Sequence, residues 1–268
     1  MNLSQLAFAG YIYGRGAYDE SLNALRAKIG TVPDLGRTET ALAILQWLNE
    51  WKCRLREADF GMAARELANW QDSCGNLLPP VSTGLLEMRD ADLKCAAEAY
   101  AGLLNRKADR RRSFGPTATA KVLFFIRPKG FPPWDEAIRK DEKYGKRKYD
   151  GSVDSYLRFL QDSQSQLFEL KKSCEAAGVD VAQVPDIIYR PASTLAKLVD
   201  EYNWITITRG LRPPDWVTLV QWCAWSMAGD TDKANKPLHD SLMAVVRDPK
   251  RFWVDPNAVL ELREISKV

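Results

Sequence analysis

A short segment that begins with three arginines has the residue types of a phosphate-binding turn. Residues 110–112 are all arginine, and Ser113, Phe114, Gly115 and Pro116 follow them. Glycine can adopt the left-handed conformation that a tight turn needs, and proline suits the first position of a helix. Unpaired backbone N–H groups at a helix start attract anions. The segment therefore predicts a tight turn at residues 113–115 that binds a phosphate group.

The elements after this turn are predicted to place a carboxylate. Residues 122–126 are apolar on all sides, which indicates a buried helix. The following loop, residues 127–133, contains three prolines and should be stiff. Asp135 stands just before the next predicted helix, where aspartate is a favoured N-cap. The stiff loop would hold this carboxylate in a fixed place.

The order and spacing of these residues resemble the helix-hairpin-helix DNA glycosylases. In that family a Gly-hydrophobic-Gly hairpin precedes a helix that contains a small residue and an alanine, and a catalytic aspartate follows. Here Phe114 and Gly115 match the hydrophobic-Gly pair, and Ala118 and Ala120 lie on the helix. The separation between Gly115 and Asp135 is 135 − 115 = 20 residues.

One further pair agrees with the family pattern and two features depart from it. Ile138 and Arg139 correspond to the hydrophobic-Arg pair that trails the family's aspartate. Ser113 stands where the family has its first glycine, and the usual Leu-Pro before the hairpin is absent. The specific resemblance covers residues 113–139, and elsewhere only the all-helical character agrees.

The resemblance implies a role for each residue of the hairpin. Asp135 would be the catalytic carboxylate, which stabilises positive charge on the sugar as the bond to the base breaks. Family members that also cut the strand carry a lysine two residues after the second glycine, where this chain has Thr117. A monofunctional enzyme that leaves an abasic site is therefore implied. The implied contacts to the DNA backbone are Arg112, Ser113, Phe114, Gly115, Thr117 and Lys121.

A glycosylase also needs a base pocket and a side chain that fills the space of the flipped base. Trp134 adjoins Asp135 and is the candidate for the pocket, and Leu77 or Leu78 is the candidate wedge. Each assignment has a structural alternative. Asp135 could only cap a helix, Trp134 could be a core residue, and the leucines could pack under their own turn.

Charge is unevenly distributed along the chain. The 268 residues carry a net charge of +3, but residues 105–148 contain 14 Lys and Arg and 5 Asp and Glu, a net +9. The remainder is then 3 − 9 = −6. Such a basic band is typical of a nucleic-acid-binding face, although a solvated loop and helix face would give the same count.

Composition limits the other possibilities. No apolar run approaches a membrane span, and the N-terminus lacks a secretory signal, so a cytoplasmic protein is expected. Five scattered cysteines indicate free thiols. The single histidine, His239, excludes a multi-histidine metal site and is interpreted as a surface or capping residue. Neither a metal nor another cofactor is expected.

The helical periodicities predict an all-α protein with negligible sheet, organised as a two-lobed, glycosylase-like fold. Residues 1–268 would form a single unit, in which residues 38–145 form one lobe and residues 1–37 with 150–268 form the other. The hairpin lies within the first lobe, at residues 105–139. Helices are predicted at residues 38–56, 91–107 and 152–177, and an extended piece at residues 204–208.

These observations favour a monomeric, monofunctional DNA N-glycosylase that acts on a damaged or modified base in double-stranded DNA. The chain is also somewhat similar to an anti-phage glycosylase that excises glucosylated hydroxymethylcytosine, which makes modified phage DNA a candidate substrate. Two alternatives stay open. The chain could be a non-catalytic helix-hairpin-helix DNA-binding protein, or a helical interaction protein whose basic band contacts an acidic partner.

Overall fold

The computed structural model describes residues 1–14, 18–139, 149–176, 178–188 and 190–210. The sequence also predicts helices at residues 215–227, 238–246 and 257–265, and these lie outside the described part, as do Cys223 and His239. The described part is mostly helical and contains no strand; an isolated antiparallel bridge joins Lys107 to Ser113. The all-α prediction is therefore confirmed for these residues.

The helices follow one another with short connections. The α-helices in the described residues are α1 (Leu3–Gly14), α2 (Tyr18–Ile29), α3 (Thr38–Glu50), α4 (Phe60–Cys74), α5 (Asp90–Leu104), α6 (Gly115–Ile126), α7 (Glu136–Arg139), α8 (Val153–Ala176), α9 (Val184–Ile187) and α10 (Leu195–Asn203). Short 3-10 turns occur at Glu57–Asp59, Gly75–Leu77, Leu85–Glu87 and Val181–Gln183.

The chain divides into two compact units. One consists of Glu20–Ser165, and the described residues of Met1–Asp19 and of Gln166–Val268 form the other. We call them the central unit and the terminal unit. The boundary falls inside α8, the long helix, which begins with Ser152 Oγ accepting the N–H of Ser155 at 3.2 Å. It ends before Gly178, whose φ of +67° no longer fits a helix.

The core of the central unit is built around α6. All residues of this helix from Ala118 to Ile126 are buried, which includes residues 122–126, whose apolar pattern predicts burial. Helix α6 packs against α3 and α5, and α4 packs against both α3 and α5. The rings of Trp47 and Phe125 lie 5.4 Å apart across the α3–α6 contact. The hairpin is therefore attached to a helix that is buried over most of its length.

In the terminal unit, α10 packs against α1. Thr194 caps α10 by accepting the N–H of Lys197 on its side-chain oxygen at 3.2 Å. Residues Trp204–Thr208, predicted as extended, form a π-helical turn that continues α10, and the Arg209 N–H donates to the Trp204 carbonyl at 3.0 Å. The prediction of an extended segment is wrong. It used only the alternation of residues 204–208, whereas α10 ends at Asn203 and the chain continues directly into the π-helical turn.

Helix α3 ends six residues earlier than its predicted end at residue 56. After Trp51 the chain adopts left-handed conformations at Lys52, with φ of 64°, and at Arg54, with φ of 57°. Left-handed residues cannot continue a right-handed helix. Helix α5 likewise ends at Leu104 rather than at residue 107. Both differences leave longer loops beside the hairpin than the sequence predicted.

Candidate functional site

The hairpin before α6 reverses direction earlier than predicted. The carboxylate of Asp109 accepts the backbone N–H groups of Arg111 and Arg112, both at 2.8 Å. The Ala108 N–H donates to the Arg112 carbonyl at 3.0 Å, which closes the turn. The predicted tight turn at residues 113–115 is thus wrong, because a buried aspartate organises the reversal at residues 109–112. Hydrogen bonds from Arg111 and Arg112 outweigh the effect of burial and lower the pKa of Asp109.

The start of α6 retains part of the predicted geometry. Gly115 has φ of +68°, a conformation that favours glycine, and Pro116 stands at the first turn of the helix. Phe114 is buried, and its N–H donates to the Arg106 carbonyl at 3.0 Å. Ser113 and Thr117 are half-buried. Because Pro116 has no N–H and that of Phe114 is paired, the backbone donors that this start offers to an anion are fewer than in a glycine-rich hairpin.

Asp135 lies at the start of α7 and is half-buried rather than enclosed. Its Oδ1 accepts the N–H of Ile138 at 2.7 Å, so the carboxylate caps the helix as well as reaching the surface. The preceding residues anchor it, since Phe131 and Trp134 are both fully buried. The loop before them is held by Arg127, whose Nε donates to the Pro79 carbonyl at 2.7 Å. The predicted stiff support of Asp135 therefore has identifiable contacts.

Gly151 connects the surroundings of α7 with the start of α6. A β-carbon added to Gly151 would stand 2.6 Å from Cγ of Pro116 and 3.2 Å from Nη1 of Arg139. Arg139 is one helical turn after Asp135, and its N–H donates to the Asp135 carbonyl at 3.1 Å. Gly151 therefore lies between the first turn of α6 and the guanidinium of Arg139, where a larger residue would meet both.

Trp134 belongs to a buried aromatic cluster with Tyr100, Tyr149, Tyr156 and Phe159. Its indole is stacked on Phe159 with ring centroids 5.0 Å apart, and it lies 5.5 Å from the ring of Tyr156. It is 0% exposed, so in this conformation a flipped base has no access to its ring. Trp134 Nε1 and Tyr156 Oη have no hydrogen-bond partner among the described residues. Trp134 anchors the loop before Asp135, and the pocket role stays a prediction that needs a change of conformation.

Two cations predicted to contact phosphate are instead bound to the loop after α3. Lys121 is buried, and its Nζ donates to the Trp51 carbonyl at 2.6 Å and lies 5.3 Å from the Trp51 ring. Arg112 donates from Nη2 to the Arg54 carbonyl at 2.8 Å and from Nε to Asp109 at 2.9 Å. These side chains connect the hairpin to that loop. Their roles in DNA binding stay predictions, but the contacts assign both a structural task.

The loop after α3 is held from several sides. Asn49 donates from Nδ2 to the Leu55 carbonyl at 2.9 Å and accepts the Leu55 N–H at 2.6 Å. Lys121 and Arg112 bind the Trp51 and Arg54 carbonyls of the same loop. Left-handed conformations of non-glycine residues are uncommon and persist where the surroundings fix them. The carbonyl contacts explain how Lys52 and Arg54 keep theirs.

A cleft of about 520 Å³ opens where this loop meets the hairpin, and it is lined by Arg56, Asp109, Arg111 and Arg112. The sequence interpretation missed Arg56, which lies 109 − 56 = 53 residues before Asp109 and outside the basic band. The basic residues at 52, 54 and 56 were the only signal available in the sequence, and nothing local connected them to the hairpin.

The candidate wedge residues lie on the loop that supports Asp135. Leu77 ends a 3-10 turn and Leu78 follows it, and both are half-buried. The next residue is Pro79, whose carbonyl accepts the hydrogen bond from Arg127. Because Arg127 begins the loop that leads to Asp135, the two loops are directly connected. No observation tests the wedge role, which stays a prediction.

In the described residues, no helix has the length and apolar character to span a membrane, and no three His, Cys, Asp or Glu side chains group closely enough to hold a metal ion. In comparisons with known proteins, the chain matches no family model, no curated protein and no solved structure. The function must therefore be argued from the site itself.

Proposed function

We propose that the protein is a monofunctional DNA N-glycosylase, in which Asp135 assists hydrolysis of the bond between a modified or damaged base and its sugar. The observation that carries the proposal is the position of Asp135. Its carboxylate is half-buried, is oriented by the Ile138 N–H at 2.7 Å, and caps α7, whose last residue, Arg139, extends its guanidinium towards Gly151 and the first turn of α6. A carboxylate in a fixed place is what an oxocarbenium-like transition state requires.

In the proposed reaction the target nucleotide first leaves the base stack. As the bond from C1′ to the base lengthens, positive charge develops on the sugar, and the Asp135 carboxylate stabilises it. Water then forms the new C–O bond at C1′ and loses a proton, while the base departs with the electron pair of the broken bond and takes up a proton. The product is a free base and an abasic site.

The position two residues after Gly115 supports hydrolysis by water. Thr117 stands there and is half-buried. Lys121 lies one helical turn further, but its ammonium is bound to the Trp51 carbonyl inside the protein. Neither residue offers an accessible amine for a covalent bond to the sugar, so strand cleavage through a Schiff base is not part of the proposal.

Buried donors without partners occur beside Asp135, as they do at Trp47 and Ser163 elsewhere in the described residues. Trp134 Nε1 and Tyr156 Oη lack partners among the described residues. Such groups cost free energy and are uncommon in native proteins, where each needs an explanation. A site that rearranges when a nucleotide enters is one physical reason to keep them.

The proposal is tested by incubating the purified protein with three duplexes: T-even-type DNA that contains glucosylated hydroxymethylcytosine, alkylated DNA and unmodified DNA. Mass spectrometry should identify a freed base from one modified duplex. The strand should stay intact until alkali is added, and borohydride should trap no protein–DNA adduct. A trapped adduct would contradict the monofunctional assignment, and the absence of base release from every duplex would contradict the enzyme.

A non-catalytic DNA-binding protein is the second candidate, because the arginine-lined cleft and the basic loops need no reaction to bind a backbone. The two candidates separate at Asp135→Asn. In an enzyme this substitution abolishes base release and leaves DNA affinity intact, whereas in a binding protein there is no release to lose.

A further inference from the structure

We infer that the cleft between the hairpin and the loop after α3 is a binding site for a backbone phosphate of duplex DNA, contacted by the guanidinium groups of Arg56 and Arg111. This inference rests on the proposed DNA substrate but not on the reaction. It also differs from the sequence prediction, which placed the phosphate at the start of α6 and chose Arg112 and Lys121 as the cations.

The cleft has the shape and lining of an anion site. Its volume of about 520 Å³ is lined by Arg56, Asp109, Arg111 and Arg112. Pockets that take small ligands usually measure about 300–1,000 Å³, so a phosphate with its sugar and water molecules has room here. Arginine is well suited to phosphate because its planar group donates two parallel hydrogen bonds.

The charges around the cleft leave an excess of cations. The loops Lys52–Asp59 and Lys107–Arg112 together contain seven Lys and Arg and three Asp and Glu, a net 7 − 3 = +4. Arg110 pairs with the buried Asp59 at 3.2 Å, and Arg56 lies at the longer distance of 3.8 Å from the same carboxylate. The side chain of Arg56 is 56% exposed.

The negative charge of Asp109, the acid that lines the cleft, is compensated by hydrogen bonds. Asp109 accepts three hydrogen bonds, two from the backbone of Arg111 and Arg112 and one from the Arg112 side chain at 2.9 Å. The Arg112 guanidinium is therefore occupied by Asp109 and the Arg54 carbonyl. Arg111 is exposed and makes no ion pair among the described residues, so its guanidinium is available to a ligand.

The structure fixes the backbone on both sides of the cleft. Asp109 holds the N–H of Arg111, and Arg112 and Lys121 hold the carbonyls of the loop that precedes Arg56. A site whose backbone is already ordered loses less conformational entropy when it binds. The two cations predicted to contact phosphate thus act as positioning residues for two that the prediction did not choose.

Duplex DNA is favoured over free phosphate because the two loops that form the cleft carry further exposed cations. Lys52, Arg54 and Lys107 are exposed on the same two loops and can meet neighbouring phosphates of a continuous backbone. A single phosphate ion could use only the cleft itself. Binding to several phosphates releases several counterions, which gives a steep salt dependence.

The test measures the affinity of the full-length protein for a duplex oligonucleotide by fluorescence anisotropy over a series of salt concentrations. Arg56→Gln and Arg111→Gln should each lower the slope of log K against log salt by about 1, and the double variant by about 2. Arg37→Gln is the matched control, since Arg37 is 71% exposed in the same unit and its slope should match the wild type. Equal melting temperatures establish that each variant is folded.

Wild-type slopes in both cleft variants would overturn the inference, as would inorganic phosphate binding to the cleft while both variants keep the wild-type affinity for DNA. The proposed reaction is tested separately, by base release at saturating DNA. Lower slopes in the variants without base release by the wild type would contradict the proposed glycosylase and support the phosphate site. Base release by the wild type together with unchanged slopes in the variants would support the glycosylase and contradict the phosphate site.

Discussion

Arg56, Arg110 and Arg111 lie at the surface of the central unit, whereas Lys197 and Arg190 of the terminal unit are enclosed by carboxylates. The side chain of Arg110 is 78% exposed and that of Lys197 is 3% exposed. Cations at the surface can exchange a weak internal partner for a ligand. Buried cations cannot give up their partners without leaving a charge inside the protein.

In the terminal unit, a buried network joins two cations to a tyrosine and three acids. Lys197 Nζ donates to Tyr13 Oη and to Asp200 Oδ2, both at 2.8 Å. Arg190 pairs with Glu201 at 2.6 Å and also with Asp19. Burial alone would lower the pKa of Lys197, but the surrounding acids outweigh it and the pKa is raised. The comparison shows that residue type alone does not distinguish a cation that stabilises the fold from one that can bind a ligand. The burial of the side chain and its partners in the protein make this distinction.

The largest effect is expected in the buried network. Lys197→Met leaves Asp200 buried without its lysine and should lower the free energy of unfolding by about 3–5 kcal/mol. The matched control is Lys172→Met, which removes an exposed pair with Glu169 at 3.5 Å. Such surface pairs contribute about 0–1 kcal/mol. Urea denaturation measures both, and equal losses would break the comparison between buried and exposed cations.

Gly151→Ala should have the next largest effect, through the junction of α6 and α7. A left-handed alanine costs about 1–2 kcal/mol, and here its β-carbon would also stand 2.6 Å from Cγ of Pro116. Gly115→Ala and Gly30→Ala are the controls, because both positions have positive φ and nothing within 4 Å of an added β-carbon. In thermal unfolding, the melting temperature of Gly151→Ala should be clearly lower than those of the two controls. Equal losses at all three sites would show that the junction is not closely packed.

The contribution of the Asp109 carboxylate to the free energy of unfolding should depend on pH. The folded-state pKa of Asp109 is lowered from an ordinary value of about 3.9, so its stabilisation is present above that pH and is lost as the pH falls through the folded-state value. Asp109→Asn should therefore be less stable than the wild type at pH 7, and the difference should shrink below about pH 4. Urea denaturation at pH 7 and below pH 4 measures the difference in the free energy of unfolding between the variant and the wild type. A difference that persists in acid would mean that the variant loses stability through altered hydrogen-bond geometry rather than through the loss of the negative charge.

The wedge leucines should have the smallest effect on stability. Leu77→Ala and Leu78→Ala should each cost less than about 2 kcal/mol, because both side chains are only half-buried, whereas full burial of a leucine is usually worth about 2–5 kcal/mol on truncation. Leu93→Ala, at a fully buried position of α5, provides that upper reference. If either leucine is the wedge, its variant slows base release while DNA affinity stays near the wild-type value. Normal release by both variants would remove these residues from the site.

Local patterns predicted the elements that depend on local packing. Helical spacing in the sequence places five apolar residues of α8 on its inward face, and all five are buried: Tyr156, Phe159, Leu160, Leu167 and Leu170. Gly178, a typical helix stop, follows the end of α8. The cap at Asp135 was also readable, because it depends on a residue three positions away. In these cases the prediction needs only the spacing of residues along one element, even where the packing partners, such as Tyr100 for Tyr156, lie far away in the sequence.

The roles of the cations depended on partners far away in the sequence. Lys121 binds a carbonyl 70 residues earlier, and Arg112 binds one 58 residues earlier. A basic residue gives no sign of whether a phosphate or an internal carbonyl will accept its hydrogen bonds. The same limit applies to Arg56, which stands on the loop after the early end of α3 and lines the cleft together with residues of the distant hairpin.

The most direct test of the proposed reaction compares single-turnover base release by the wild type, Asp135→Asn and Glu136→Gln on the duplex from which the wild type frees a base. Glu136 is the exposed carboxylate next to Asp135 and serves as the control. Asp135→Asn should slow release by about a hundredfold or more, while duplex affinity is unchanged and Glu136→Gln stays near the wild-type rate. Release at the wild-type rate by Asp135→Asn would contradict the assignment of this carboxylate as the catalytic group.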